Sequence, residues 1–293
     1  MTDHINSLTN PKIKWVKSLH KNSTRRSEGV FVVEGAKEIA SALSAGFEPH
    51  SFFVCAEIYS RDLPEDSSAT SEAMRDPANS SFFSDIDIAD GFYNVSASVY
   101  QKISYRSGSD GLLAVFITKK KSLTELSFAD NPFFIIVEAV EKPGNLGAII
   151  RTADGVGADG VIICNEKTDL YNPNVIRSSV GTLFSTQVAA ASNEDVYDFL
   201  QNHEITPFGA IISNDSKAYF QADFTRPTAI ILGTEHDGLS SFWMKRAAPL
   251  VIPMLGNNDS LNVSAATAIL AYEVLRQRIA LNSAASKSVD YDD

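Results

Sequence analysis

Residues 252–278 read IPMLGNNDSLNVSAATAILAYEVLRQR. Two patterns meet in that stretch. Gly256 to Asn262 is a run of small polar residues, and from Val263 onward the apolar residues fall at helical spacing, with Val263, Ala266, Leu270 and Val274 on one face. Ser260 or Asn262 can cap such a helix by accepting hydrogen bonds from its first-turn amides. A polar loop feeding a buried helix also suits the wall of a ligand pocket. The apolar face fits either a core or an interface between two copies, and the rest of the chain has to decide.

Working back toward the N-terminus, strand-like runs alternate with helical ones. PFFIIVEAV, GVIICN, TQVAAA, TPFGAIIS and TAIILGTE read as strands, whereas NLGAIIRTADGVG, NPNVIRSSVGTLF and NEDVYDFLQNH read as helices. That alternation predicts an α/β domain with a mainly parallel sheet covered on both faces. A smaller α/β module precedes it. Its elements are a short basic helix over 11–21, a strand in GVFVVEG, a helix in AKEIASALSAG and a strand in HSFFVCAEIY. A short helix in GFYNVSASVYQKIS and a strand in GLLAVFITKK complete it. The expected organisation is a module over 1–118, a linker over 119–131, the larger domain over 132–282 and a disordered tail over 283–293. Residues 61–82, polar and rich in Ser, Asp and Pro, read as a surface loop or short helix.

At 293 residues the chain can bury a sizeable core. Its longest apolar runs are strand-sized, well short of the roughly 20 residues of a membrane span. The N-terminal stretch MTDHINSLTNPKIKW lacks the hydrophobic region of a signal peptide, so a cytoplasmic protein with no membrane partner is expected. Cys55 and Cys164 each close a strand-like run and read as buried, reduced thiols; with the histidines scattered, no metal site is expected. The net charge of −11 argues against a surface coated in positive charge for nucleic acid. The distribution is uneven, however. Lys12, Lys14, Lys17, Lys21, Arg25 and Arg26 face only Asp3 in the first 26 residues, while residues 57–90 are strongly acidic. Charge alone leaves the basic segment as a solvated helix face or a nucleic-acid contact.

GVGADG at 155–160 matches the glycine spacing of a dinucleotide site, but the order is wrong. Such glycines follow a strand and open a helix so that amides face a pyrophosphate. Here they follow the helix containing Arg151 and precede the strand VIIC, which makes them a helix end and turn. A metabolic enzyme using a dinucleotide is excluded on that ground.

Three separated stretches place polar residues where a strand ends: EAVEKPGNLGAIIRTADGVGA, ILGTEHDGLS and IPMLGNNDSLNVSAATA. The C-terminal edge of an open α/β sheet is where ligands collect. Taken together and in this order, the stretches resemble the three motifs of the SpoU (TrmH-like) branch of the SPOUT RNA methyltransferases. The first motif is carried by Asn145, Gly147 and Arg151, the second by Gly233 and Glu235 with Gly238 and Leu239, and the third by Ile252, Pro253 and Ser260 to Ser264. The N-terminal half, with NPKIKWVKSL, VFVVEG and EIASALSAG, resembles the small RNA-binding module, akin to ribosomal-protein folds, often fused ahead of this domain. His236 stands after Glu235 where the family often has glycine, and Lys142 precedes Pro143 where acids are common.

The resemblance implies a trefoil-knotted C-terminal domain and a homodimer. It further implies S-adenosylmethionine-dependent 2′-O-methylation of a ribose in structured RNA, with 23S ribosomal RNA favoured. A transfer-RNA ribose methyltransferase and a non-catalytic RNA-binding or ribosome-assembly protein on the same fold are the alternatives. Carried over residue by residue, Asn145, Arg151, Glu235, Ser260 and Asn262 form the catalytic set; Gly233, Ile252 and Leu261 hold the cofactor; Lys12, Lys14, Lys17, Arg25 and Arg26 meet RNA.

Overall fold

The computed structural model describes residues 3–59, 90–105, 108, 110–234 and 237–289. The surface stretch expected over 61–82 therefore lies outside the described residues, as do Glu235 and His236. The chain divides into two compact units, one formed by Met1–Lys119 with Tyr171–Ile176, the other by Lys120–Leu170 with Arg177–Asp293.

The first unit contains β1 (Asp3–Ile5), α1 (Pro11–Ser18), α2 (Asn22–Glu28), β2 (Val30–Glu34), α3 (Ala36–Ser44), β3 (Pro49–Val54) and α4 (Ala56–Tyr59). After these come β4 (Gly91–Val95), α5 (Ala97–Ile103) and β5 (Leu112–Ile117). The strands form one sheet in the order β1-β4-β3-β5-β2. β1, β4 and β3 run parallel, and β5 pairs antiparallel with both β3 and β2. Asn10 caps α1 by accepting from the Lys12 amide at 2.9 Å, and Pro11 starts the helix with its φ already set. Ile13, Val16 and Leu19 then point into a core shared with Val32, Phe53, Tyr100 and Val115. GFYNVSASVYQKIS is both a strand and a helix: β4 occupies its first residues because Phe92 and Tyr93 pair with β3, and the chain turns helical only after Ser96. β1 and α2 lack a readable apolar pattern and were not expected.

The second unit contains β6 (Phe133–Glu138), α6 (Pro143–Gly155), β7 (Gly160–Cys164), the end of α7 (Pro173–Ser179, whose residues up to Ile176 belong to the first unit), α8 (Thr182–Ser185), β8 (Val188–Ala191) and α9 (Asn193–Asn202). These are followed by β9 (Thr206–Ala210), β10 (Lys217–Ala218), β11 (Thr228–Leu232), α10 (Ser241–Met244), β12 (Ala248–Val251) and α11 (Val263–Val289). Its seven strands run parallel throughout in the order β10-β12-β9-β11-β6-β7-β8. Every residue of β6, β7 and β11 is buried, the signature of a sheet covered on both faces. α6 ends at Gly155, Gly157 takes φ +64°, and β7 begins at Gly160, so GVGADG is the helix-to-strand turn read from its order.

Three expectations are corrected. NPNVIRSSVGTLF is two short helices, not one, because Val180 and Gly181 both adopt positive φ, 53° and 84°, between α7 and α8. Residues 120–131 are no free linker: Leu126 is buried in the second unit's core, and Lys121 bridges to Ala189 and donates to Gln187 Oε1 at 2.7 Å. The tail is not disordered from residue 283, since α11 continues to Val289.

Candidate active site

The C-terminal ends of β9, β11 and β12 open into a cavity of about 360 Å³. Each strand delivers its last residues and those just beyond: Ala210–Ile212 from β9, Leu232–Thr234 from β11, Leu250–Ile252 from β12. Asp237, Gly238, Leu239 and Met244 form a further wall, and Met254, Asp259, Ser260, Leu261, Val263 and Ala266 close the cavity from the third motif and the start of α11. Gly233, Ile252 and Leu261, expected to hold a cofactor, and Ser260, expected to be catalytic, thus share one cavity although they are distant in sequence.

Gly233 is glycine because of space. A Cβ there would lie 2.0 Å from the Gly238 carbonyl oxygen, 2.1 Å from its carbon and 2.4 Å from the Leu239 nitrogen, all backbone atoms. Thr234 and Gly238 face each other: the Thr234 amide donates to the Gly238 carbonyl at 3.0 Å, and the Gly238 amide returns a bond to the Thr234 carbonyl at 3.2 Å. Gly238 takes a positive φ, +66°, which suits glycine.

Asn262 answers the question posed by the polar loop, for it caps the helix and faces the first motif together. Its Oδ1 accepts from the Ser264 amide at 3.0 Å and the Ser264 hydroxyl at 2.6 Å, and its Nδ2 donates to Asn145 Oδ1 at 3.3 Å. α6 and α11 pack together, so this bond joins two helix starts on neighbouring elements. Ser260 donates to Asp259 Oδ1 at 3.4 Å. Arg151 lies six residues beyond Asn145 on α6, about 9 Å further along the axis. It is exposed, lies outside the lining of this cavity, and among the described residues its side chain has no hydrogen-bond or ion-pair partner. Glu235 lies outside the described residues.

A second cavity, about 520 Å³, adjoins the same wall above β6, β7 and β11. Glu138, Ala139, Asn165, Glu166 and Lys167 line it with Thr234, Asp237, Gly238, Leu239 and Ser240. Cys164, just before Asn165, is fully buried; burial, with Glu138 and Glu194 nearby, pushes its thiol pKa up to about 12. Both cysteines are buried and free, as their strand-end positions suggested, and no metal-ligand cluster occurs among the described residues.

The basic residues of the first unit separate into three kinds. Arg25 is corrected: it is buried and donates to the Leu19 carbonyl at 2.7 Å, so it cannot meet a phosphate without leaving the core. Lys12 is engaged, lying 2.6 Å from Asp90 Oδ2 and 4.7 Å from the centre of the Tyr93 ring. Burial works against its charge, but Asp90 and Tyr93 outweigh it and hold Lys12 above the ordinary lysine pKa. Lys14, Lys17 and Arg26 are exposed. Contact with Lys102 pulls the Lys17 pKa down, because two ammonium groups sit side by side.

Sequence reasoning missed Ala210–Ile212, Thr234 and Met254. The strand-edge rule could have found the first of these, since AIIS ends a strand read from the sequence. Nothing local marks Glu138, whose partners are dozens of residues away.

Comparison with known proteins identifies the family. A model of the SpoU rRNA Methylase family matches residues 132–272, and a model of the MRM3-like substrate binding domain matches residues 10–114. A 23S rRNA (uridine(2479)-2′-O)-methyltransferase of Streptomyces viridochromogenes is 38% identical over 152 residues, covering 50% of this chain and 53% of that one. The chain thus spans about half the length of that curated relative. A solved RNA 2′-O ribose methyltransferase is 35% identical with a TM-score of 0.76, over 94% of this chain and 99% of the other. An AdoMet-bound rRNA methyltransferase from Sinorhizobium meliloti is 26% identical with a TM-score of 0.78, over 94% and 98%.

Proposed function

Because this chain belongs to the SpoU rRNA methylase family, we propose that it transfers a methyl group from S-adenosylmethionine to a ribose 2′-hydroxyl of 23S ribosomal RNA. The observation that carries the reading is the convergence of Gly233, Ile252, Ser260 and Leu261 on one cavity at the strand ends. Its volume lies in the range of small-molecule sites, roughly 300–1,000 Å³. Ile211, Leu232 and Leu250 offer an apolar face for an adenine ring, while Asp237, Asp259 and Ser260 offer acceptors for ribose and ammonium groups. Backbone packed around Gly233 leaves no room for a side chain and brings main-chain groups against the ligand. The fit is therefore good in size and in polarity.

When bound, S-adenosylmethionine supplies a methyl group on a positively charged sulfur whose departure leaves a neutral thioether, so the transfer calls for no metal. The chain's own task is orientation and a fixed polar environment. Asn262 and Asn145 hold the third and first motifs in register through their hydrogen bond. Arg151 is a poor base, because its guanidinium stays charged, but its fork of donors suits an RNA phosphate beside the acceptor ribose. That phosphate is then the group placed to take the hydroxyl proton. Glu235 completes the catalytic set carried over from the family.

The exposed Lys14, Lys17 and Arg26 form the RNA contact of the first unit. The Lys17–Lys102 repulsion is relieved when a phosphate lies between them. The proposal includes the trefoil knot, a cytoplasmic location and a homodimer. Among the described residues no helix is long and apolar enough to cross a membrane. Tyr272, Ile279 and Leu281 are exposed along α11, which suits a helix that meets a second copy.

The test is to map 2′-O-methyl groups in total RNA with and without the gene, and to repeat the transfer with purified protein, methyl donor and ribosomal RNA. One 23S ribose methylated only when the protein is present is the expected result. A new mark on transfer RNA would move the substrate assignment, and no heat on titrating the donor would favour a non-catalytic binder.

A further inference from the structure

Thr234, Asp237, Gly238 and Leu239 line both cavities, so their placement sets the shape of each. On one side they hang from β11. On the other, the Ser240 amide donates to Glu138 Oε2 at 2.8 Å, a contact spanning 102 residues. Glu138 ends β6, the interior strand beside the central β11, and is buried. Its Oε1 accepts from Asn193 Nδ2 at 2.6 Å and, more weakly, from Asn165 Nδ2 at 3.4 Å. Asn193 Oδ1 in turn accepts from Trp243 Nε1 at 2.9 Å.

We infer that Glu138 is a positioning residue, clamping the wall between the two cavities through the Ser240 amide, and that its carboxylate is required there by the direction of the hydrogen bonds. An indole N–H can only donate, so Asn193 must turn its oxygen to Trp243 and its NH₂ to Glu138. A backbone N–H likewise only donates. The side chain at 138 therefore has donors facing both of its end atoms and must be all acceptor. An amide of the same shape cannot satisfy them, since its NH₂ would confront either Asn193 or Ser240. The clamp's relation to cofactor binding rests on the methyltransferase reading above; the clamp itself does not.

Three variants test it. Glu138→Gln keeps the shape and removes one acceptor; loss of a buried bond to a charged group corresponds to about tenfold or more. Ser240 amide exchange in the protein alone should quicken by about that factor, and calorimetry should show S-adenosylhomocysteine binding weakened to the same order. Adding Asn193→Asp moves the carboxylate across the pair: the aspartate accepts from Trp243 and from the glutamine NH₂, leaving the glutamine carbonyl for Ser240, while Asn165 turns its amide so that its oxygen, not its NH₂, faces the glutamine. Both readouts should return to within about threefold of wild type. Ser240→Pro removes the donor at a φ, −63°, that proline adopts, and should weaken binding.

Wild-type exchange and affinity in Glu138→Gln would overturn the inference, as would a loss in a folded single variant that the exchanged pair fails to recover. If Glu138→Gln does not fold, the exchanged pair and Ser240→Pro decide, and wild-type affinity in Ser240→Pro refutes the clamp. A wild-type protein that binds no S-adenosylhomocysteine would instead refute the proposed function, while Ser240 exchange still judges the clamp.

Discussion

Gly233→Ala is the sharpest test of the cavity's construction. The added methyl would sit 2.0 Å from the Gly238 carbonyl oxygen, against an ordinary contact of 3.4 Å or more, so the facing backbone must retreat by about 1.4 Å. That carbonyl is held by the Thr234 amide at 3.0 Å, and the reciprocal bond lies one step away at 3.2 Å. Both bonds open when the backbone moves. At roughly 0.5–1.5 kcal/mol each, the loss is about 1–3 kcal/mol, or about 5- to 150-fold in the affinity of a ligand that needs the closed wall. The wall lies at the rim of the sheet, so the melting temperature should fall by only a few degrees. Calorimetry with S-adenosylhomocysteine, paired with thermal melting, reads both quantities. Gly155→Ala is the control: its Cβ would meet only the Tyr272 hydroxyl, at 3.4 Å. If Gly233→Ala bound the nucleoside within about twofold of wild type, the close approach would have no part in holding the cofactor.

Two further outcomes are expected. Arg151→Ala should abolish methylation while leaving S-adenosylhomocysteine affinity close to wild type, because the residue lies outside the cavity proposed for the methyl donor; near wild-type turnover would remove Arg151 from the mechanism. Cys164 should resist alkylation in the folded protein up to alkaline pH, its pKa being pushed up to about 12 from an unperturbed 9.0. The sign follows from linkage: above pH 9 the unfolded thiol loses its proton first, so Cys164's contribution to stability falls as pH rises from 9.0 toward about 12. Cys164→Ala should flatten that part of a denaturation-versus-pH curve, and an unchanged slope would contradict the shift.

Much of the second unit was legible because its signals are local. Five-residue apolar runs bounded by turns marked β6, β7 and β11, and the order of helix, glycines and strand was enough to reject GVGADG as a nucleotide loop. The break at Val180 was not legible, since a β-branched residue gives no sign of positive φ. Residues 119–131 read as linker because Leu123, Leu126 and Phe128, at spacings of three and two, keep neither the helical nor the strand period, though all three pack on the core.

The sequence by itself determined the main alternation of strands and helices in the second unit, its parallel sheet, and a helix cap at Ser260 or Asn262, since each depends on a few neighbouring residues; the structure chose Asn262. It also marked Gly233, Ile252, Ser260 and Leu261, through motif resemblance. Only the tertiary structure decided that Asn145 bonds to Asn262 across 117 residues, that Arg25 is buried, and that Glu138 ends a chain of donors from Trp243 and Ser240. The reason is physical: helical and strand periodicity report on the backbone within one or two turns. Burial, close approach and hydrogen-bond direction, by contrast, arise when distant segments share the same few ångströms.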